Sequence, residues 1–262
     1  MSPIIKTGDA IEKMRTAGAL TAKVLEAVNE IIKPGISTME INNFCEDYIV
    51  NTLNASPGSK GQYDYPYAIN TSLNHVICHG LPSDKVRIKN GDIFNVDLTV
   101  LKDGYYGDSS KMFTVGDIKP FAKRLIEVTQ ECLYTAIQRV KPGVTLGDIG
   151  CTIQEIAENN KYSVVREFCG HGIGSKMHEP PEVAHFGSPG QGLVLKEGMT
   201  FTIEPMINLG KPAIRQHPDG WTVTTRDRRL SAQWEHTILV TKTGYDILTF
   251  RGDEAELISK CT

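Results

Sequence analysis

Asp97 and Asp108 are the first residues in the chain whose type and spacing point to chemistry. Around the first of them, Phe94, Val96, Leu98 and Val100 alternate with Asn95, Asp97 and Thr99, the period of a half-buried strand. Asp103-Gly104 then supplies the residues that a two-residue type I′ hairpin prefers. Such a turn sets Leu101 opposite Tyr106, Thr99 opposite Asp108 and Asp97 opposite Ser110. The two carboxylates then share a face as diagonal neighbours, roughly 7 Å apart at Cβ or less. At that spacing they repel unless one is protonated or a cation lies between them. Taken alone, the pair reads as two ordinary acids on a solvated sheet face. The rest of the chain argues otherwise.

An internal repeat enlarges the pair. Lys33-Pro34-Gly35-Ile36-Ser37-Thr38-Met39-Glu40-Ile41 matches Lys141-Pro142-Gly143-Val144-Thr145-Leu146-Gly147-Asp148-Ile149, and His79-Gly80 is echoed by His171-Gly172. Gly91-x-x-Phe94-x-Val96-Asp97 returns as Gly198-x-x-Phe201-x-Ile203-Glu204, and Asp108 has a counterpart in Glu235. The result is a quartet, Asp97, Asp108, Glu204 and Glu235, each in or beside an apolar β-type run where an unpaired charge is costly. His171, in the glycine-rich stretch 170–174, adds an imidazole on a turn where backbone approaches a ligand closely. One nitrogen and several carboxylate oxygens describe a two-metal hydrolytic site, suited to Mn²⁺, Fe²⁺, Co²⁺ or Zn²⁺. No thiolate is needed. His79 and His178 lie in turn contexts beside these groups and fit a catalytic or a core role equally. His75, His185, His217 and His236 read as structural or surface residues.

The elements that must carry these groups follow from periodicity. Thr7 or Asp9 is expected to cap a first helix using Ile11, Met14, Leu20, Val24, Leu25, Val28 and Ile31, ended by Lys33-Pro34-Gly35. Ser37-x-x-Glu40 resembles a capping box opening a second helix, with Ile41, Phe44, Tyr48 and Ile49 inward. Residues 54–70 read as a loop bearing Tyr63, Tyr65 and Tyr67, strands are expected near 71–80 and 91–115, and helices over 121–140 and from Thr145. Short strands and Gly/Pro loops then run to 250. The 262 residues read as a single domain of two related halves, about 5–120 and 121–250.

Composition removes other classes. The net charge of −3 gives no case for binding nucleic acid or an acidic membrane. No apolar run is long enough to span a bilayer, and the N-terminus lacks the apolar core of a signal peptide. Six cysteines without C-x-x-C or framework spacing read as reduced thiols of a cytoplasmic protein. The stretch 170–174 is no dinucleotide fingerprint, and P-loop, G-x-S-x-G and H-E-x-x-H motifs are missing.

Over residues 5 to 250 the chain resembles the type I methionine aminopeptidases. The resemblance rests on Cys78-His79-Gly80-Leu81-Pro82, Asn95-Val96-Asp97, Gly107-Asp108-Ser109-Ser110, Cys169-Gly170-His171-Gly172-Ile173-Gly174, Phe201-Thr202-Ile203-Glu204-Pro205 and Glu235-His236-Thr237. It implies an α+β pita-bread fold, a curved antiparallel sheet with outer helices and pseudo-twofold halves. It implies that Asp97, Asp108, His171, Glu204 and Glu235 hold two divalent metals, and that a water bridging them attacks the first peptide carbonyl of a nascent chain. Glu204 would move protons, His178 would bind the carbonyl oxygen, and His79 the scissile or following amide. A small second residue is the expected preference. A monovalent cation is implied at Asn74, Val76 and Ser231. The chain looks like the minimal bacterial form, a cytoplasmic monomer acting near the ribosome.

Departures from the family pattern fall in the methionine pocket. Tyr65 and Trp221 match, but Gln62, with Tyr63 next, stands where a tyrosine is usual, Asn70 replaces a frequent cysteine, and Met177 a frequent aromatic. Two other readings belong to the same fold. One is a prolidase or Xaa-Pro aminopeptidase, which would carry a further N-terminal domain. The other is a non-catalytic peptide-binding scaffold, which would have lost its ligands.

Overall fold

The computed structural model describes residues 2–254; Cys261 lies outside them. Its centre is the expected hairpin, Ile93–Lys102 paired antiparallel with Tyr105–Thr114. The register sets Asp97 opposite Ser110, Thr99 opposite Asp108 and Leu101 opposite Tyr106. Asp103 and Gly104 both take positive φ, 50° and 81°, which a type I′ turn requires. Ile69–Leu73 and the short Ser56–Pro57 pair with the other edge of the first hairpin strand. A second sheet runs in the spatial order 245–247, 236–240, 200–203, 170–172, 179–183. Among the described residues two three-stranded sheets complete the β structure, and every strand pairing is antiparallel.

Among the described residues four α-helices cover these sheets: α1 (Asp9–Val28), α2 (Thr38–Asp47), α3 (Pro120–Gln138) and α4 (Leu146–Asn159). One apolar core gathers Val24, Ile41, Ile49, Ile69, Phe94 and Leu98 beneath α1 and α2. Another gathers Leu125, Leu133, Ile149, Ile153, Phe201 and Ile238 beneath α3 and α4. Both capping boxes form: Ser37 with Glu40, and Thr145 with Asp148. The glycines of the two Lys-Pro-Gly runs share one backbone geometry, φ 94° at Gly35 and 92° at Gly143. Among the described residues, no helix is long and apolar enough to cross a membrane.

The first helix departs from expectation at both ends. Neither Thr7 nor Asp9 caps it; the chain enters through Gly8 at φ 47°, and the Asp9 carboxylate pairs with Lys13 instead. The helix stops at Val28, so Ile31 belongs to the following turn, bonding back to the Val28 carbonyl. Phe44 and Tyr48 are only partly buried and stack on each other at 5.9 Å, while Cys45 takes a fully buried position between Ile41 and Ile49.

What ties the hairpin to the second sheet is a seam of short polar bonds. Ser110 bridges Glu235, whose N–H donates to the Ser110 carbonyl, and the Ser109 hydroxyl donates to the Glu235 carbonyl at 2.6 Å. The Asp108 N–H donates to the Thr237 hydroxyl, which donates to the Asp108 carbonyl. The Asn95 amide reaches the Gln233 carbonyl at 2.8 Å. Arg251, fully buried, donates to Ser109 from behind.

On the outer side α1 lies directly on the second hairpin strand, with Thr21 donating to the Gly107 carbonyl at 2.8 Å. A Cβ on Gly107 would fall 2.5 Å from the Gly18 nitrogen and 2.7 Å from the Ala17 carbonyl carbon. Backbone of a packed helix yields little, so overpacking here forces a shift. Gly107→Ala is expected to cost at least about 2 kcal/mol of stability in urea denaturation. Wild-type stability in this variant would show that α1 moves off the strand freely.

Candidate active site

The hairpin and the second sheet enclose a cleft of about 1000 Å³, and every group singled out for the metals or substrate lines it except the three residues 74, 76 and 231. Asp97 and Asp108 enter from the hairpin, His171 from Gly170–Gly172, Glu204 just after Thr200–Ile203, and Glu235 from the break between Ser231–Gln233 and His236–Val240. Ligating atoms of Asp108, His171 and Glu235 lie within 4.8 Å of one another. His171 Nε2 is 3.7 Å from Asp108 Oδ2 and 3.8 Å from Glu204 Oε1.

Hydroxyls and amides orient these carboxylates. The Thr99 hydroxyl donates to Asp108 Oδ1 at 2.9 Å, and the Thr202 hydroxyl donates to Glu204 Oε1 at 2.7 Å while accepting the His171 N–H. Gln233 and Asn70 amides approach Glu204 Oε2 and Asp97 Oδ2 at 3.5 and 3.4 Å. His185, classed from sequence with structural or surface residues, is fully buried, and its Nε2 accepts the Glu204 N–H at 3.2 Å. Thr99, Thr202, Gln233 and His185 were not legible as site residues. Only Thr99 carried a signal, its place opposite Asp108 in the hairpin register.

The electrostatics define what the cluster lacks. Burial pushes the Asp97 carboxyl up to about 7, and burial with mutual repulsion pushes Asp108, Glu204 and Glu235 well above the usual carboxylate range. Among the described residues no lysine or arginine pairs with any of the four. His171 cannot serve as a cation, because burial and then His178 lower its pKa to about 3. Its Nδ1 is 2.9 Å from the Gly172 carbonyl, which only accepts, so Nδ1 carries the proton and Nε2 presents a lone pair to the carboxylates. A lone pair facing carboxylate oxygens is repulsive unless a proton or a metal cation lies between, and the burial that raises these carboxyls makes a proton the substitute for metal. An Nδ1–H donated to a carbonyl is the usual support of a metal-ligating histidine. The donor set, with Asp108, His171 and Glu235 closest together, therefore fits divalent metal.

The cleft continues into an aromatic wall. Tyr65 is buried, donates its hydroxyl to the Ile69 carbonyl, and meets the Trp221 ring edge-on at 4.8 Å. Met177 brings Sδ to 3.9 Å from the Thr99 hydroxyl. Gln62 turns toward the Tyr106 hydroxyl, and Tyr63 stands 71% exposed at the mouth, its ring 5.6 Å from His178. His178 lies against His171 at 4.3 Å, and His79 meets Phe168 edge-on. Burial, then His178, lowers the His79 pKa to about 4, and desolvation lowers that of His178, so both rings are neutral at physiological pH. Away from the cleft, Ser231 donates its N–H to the Asn74 carbonyl at 2.8 Å, and Val76 opens the next strand. All five described cysteines are free thiols.

Comparison with known proteins gives this geometry a family. Residues 12–242 match the model of metallopeptidase family M24. The chain is 53% identical to the methionine aminopeptidase of Escherichia coli (strain K12) over 254 residues, 97% of this chain and 96% of that protein. The crystal structure of methionine aminopeptidase from Rickettsia prowazekii superposes with a TM-score of 0.93 at 49% identity, covering 95% of this chain and all of that one. A prolidase from Pyrococcus furiosus is more distant: TM-score 0.77, 27% identity, 95% of this chain against 66% of the prolidase. The chain belongs to metallopeptidase family M24 and, within it, to the methionine aminopeptidases. Its fold is the pita-bread fold common to that family and the prolidases.

Asp97 provides a test free of any assay of catalysis. Its carboxyl titrates near 7 folded and near 3.8 unfolded, so between these values the folded state holds more protons. Stability of the metal-free protein therefore falls as pH rises through that window. Asp97→Asn should flatten this part of the profile and raise metal-free stability at neutral pH, measured by urea denaturation after chelation. A variant less stable than wild type at neutral pH would mean the carboxylate is already compensated by the protein.

Proposed function

We propose that the chain removes the N-terminal methionine of proteins and peptides, hydrolysing the first peptide bond with divalent metal held by Asp97, Asp108, His171, Glu204 and Glu235. The observation that carries the ligand set is the neutral His171 ring, its Nε2 lone pair turned on Asp108 and Glu204 inside a buried cluster of acids. Two cations, of Mn, Fe, Co or Zn, match the number of carboxylates better than one. Bound there, they supply the missing positive charge, polarise the scissile carbonyl and lower the pKa of water toward about 7.

The residues of the chain do the rest. Glu204, with its raised proton affinity and its orientation fixed by Thr202, takes a proton from the attacking water and delivers it to the departing amine. His178, neutral and at the edge of His171, donates to the carbonyl oxygen as it gains charge. His79, also neutral, bonds the scissile or following amide. Tyr65, Trp221 and Met177, with Gln62 and Tyr63 at the rim, enclose an unbranched thioether side chain through apolar and sulfur–aromatic contacts. The free amine binds near Asp97, and the closeness of His79 and the 54–70 loop favours a small second residue. The proposal extends to a monovalent cation at Asn74, Val76 and Ser231, supported by the contact between residues 74 and 231. It extends also to two related halves, 5–120 and 121–250, supported by the shared geometry of Gly35 with Gly143 and of Gly91 with Gly198. A cytoplasmic monomer meeting nascent chains at the ribosome suits the free thiols.

His178→Ala should lower kcat by roughly 10²–10³, the scale for one donor to a developing oxyanion, with metal content unchanged. Loss of metal at constant turnover per bound ion would make His178 a ligand instead. Glu204→Gln should abolish turnover of Met-Ala-Ser while circular dichroism stays that of wild type.

Steady-state kinetics on Met-Ala-, Met-Lys-, Leu-Ala- and Xaa-Pro- peptides test the specificity. Met-Ala- should be best, and Leu-Ala- poorer rather than inert, since small shape differences in an apolar pocket are worth only about 1–3 kcal/mol. Fast cleavage of Xaa-Pro- with little action on Met-Ala- would favour the prolidase reading.

A further inference from the structure

We propose that Glu179, seated from beneath by its buried partner Lys6, is a positioning residue whose second side-chain oxygen fixes the turn carrying Met177 and His178; the inference rests on the roles given to those two residues above. The turn joins Gly170–Gly172 to Glu179–Val183 and exposes Ser175, Lys176 and His178 to solvent. Its entry is pinned at Ile173, which donates to the Thr200 carbonyl at 3.2 Å and accepts the Thr200 hydroxyl at 2.5 Å, and Met177 meets Thr99 through its sulfur. Gly174 donates to the Lys176 carbonyl at 3.0 Å, and its own carbonyl accepts the Tyr106 N–H at 2.9 Å. The tie nearest His178 comes from Glu179, whose Oε1 accepts the Lys176 N–H at 3.1 Å. That bond closes the turn across Met177 and His178.

Glu179 is held in turn from beneath. Its Oε2 lies 2.5 Å from Lys6 Nζ, with the two side chains 1% and 4% exposed. Lys6 is fastened by its N–H to the Gly198 carbonyl at 2.8 Å and by Nζ to the Ile4 carbonyl at 3.1 Å. Its stem runs against the turn itself: a Cβ on Gly174 would fall 2.5 Å from Lys6 Cε and 2.7 Å from Glu179 Oε1. The N-terminal segment therefore passes under the turn and locks it to the strand lead-in at Gly198. The His178 ring also approaches those of His171 and Tyr63.

Apolar pairs often hold a buried site as well as an ion pair does. What they lack is an acceptor. The carboxylate offers one oxygen to Lys6 and keeps the other for Lys176, which explains why an acid rather than a hydrophobe stands at 179. A displacement of the donor by about 1 Å is enough to slow a reaction about 10²-fold, so a loosened turn should show in turnover before it shows in stability.

Removing one partner alone strands a buried charge and risks the fold, so paired variants serve. Lys6→Met/Glu179→Met removes the acceptor; Lys6→Met/Glu179→Gln keeps an amide oxygen in its place. With Met-Ala-Ser and the metal-loaded protein, the first should lose about tenfold or more in kcat and the second stay within about twofold of wild type. Hydrogen exchange at the Lys176 amide of the metal-free protein should accelerate in the first and stay slow in the second, with circular dichroism unchanged in both. Full kcat in the Met/Met variant, or undiminished protection at Lys176, overturns the inference. If His178→Ala itself retains full kcat, the role given to His178 fails, and the exchange at Lys176 still decides whether Glu179 pins the turn.

Discussion

Four carboxylates share one buried site with no lysine or arginine among the described residues in ion-pair contact with any of them, Arg251 acting on Glu235 only from a distance, and much of the structure is arranged to hold them there. Left to themselves they would take up protons or spread apart. Rigid strands prevent the spreading, with two acids in fixed hairpin register and two more at the ends of strands packed against it. The outcome is a site that binds protons when no metal is present and whose natural complement is a multivalent cation.

The neighbours of these acids are chosen to orient without neutralising. Thr99 and Thr202 donate single hydroxyl protons, and the seam at Ser109 and Thr237 uses neutral groups as well. Arg251, the buried guanidinium behind the seam, is occupied with Ser109 and Glu254. A cation placed against Asp108 or Glu235 would fill the position that metal requires. Neutral hydrogen bonds fix direction and leave charge open, which is the combination a metal site needs. The same reasoning applies to the substrate side, where His79 and His178 stay neutral and add no repulsion toward bound cations.

Local signals carried far in this chain. Alternation from Phe94 to Val100 and the Asp103-Gly104 turn gave the hairpin register correctly, because both are decided within a few residues. The capping boxes at Ser37 and Thr145 were legible for the same reason. The helix start at Gly8 was not, since a glycine at positive φ displaced the polar caps on either side of it. Contacts made across the fold left no trace in the sequence pattern. His185 meets the Glu204 backbone, and Lys6 meets Glu179, only after distant segments pack. The acids were found because a repeat lists them twice; the groups that aim them have no such duplicate.

The seam between Ser109 and Glu235 joins residues 126 positions apart. Contacts of such separation form slowly, because the chain entropy lost in closing a long loop precedes any gain from the contact. The hairpin with Asp97 and Asp108 can form early from local pairing, but Glu204 and Glu235 arrive only when the second sheet docks. Partly folded chains thus present incomplete ligand sets. Metal that recognises only the finished arrangement lowers the native state and leaves earlier species untouched. Its kinetic signature is slower unfolding at an unaltered rate of folding, so a loaded molecule persists by resisting its own opening.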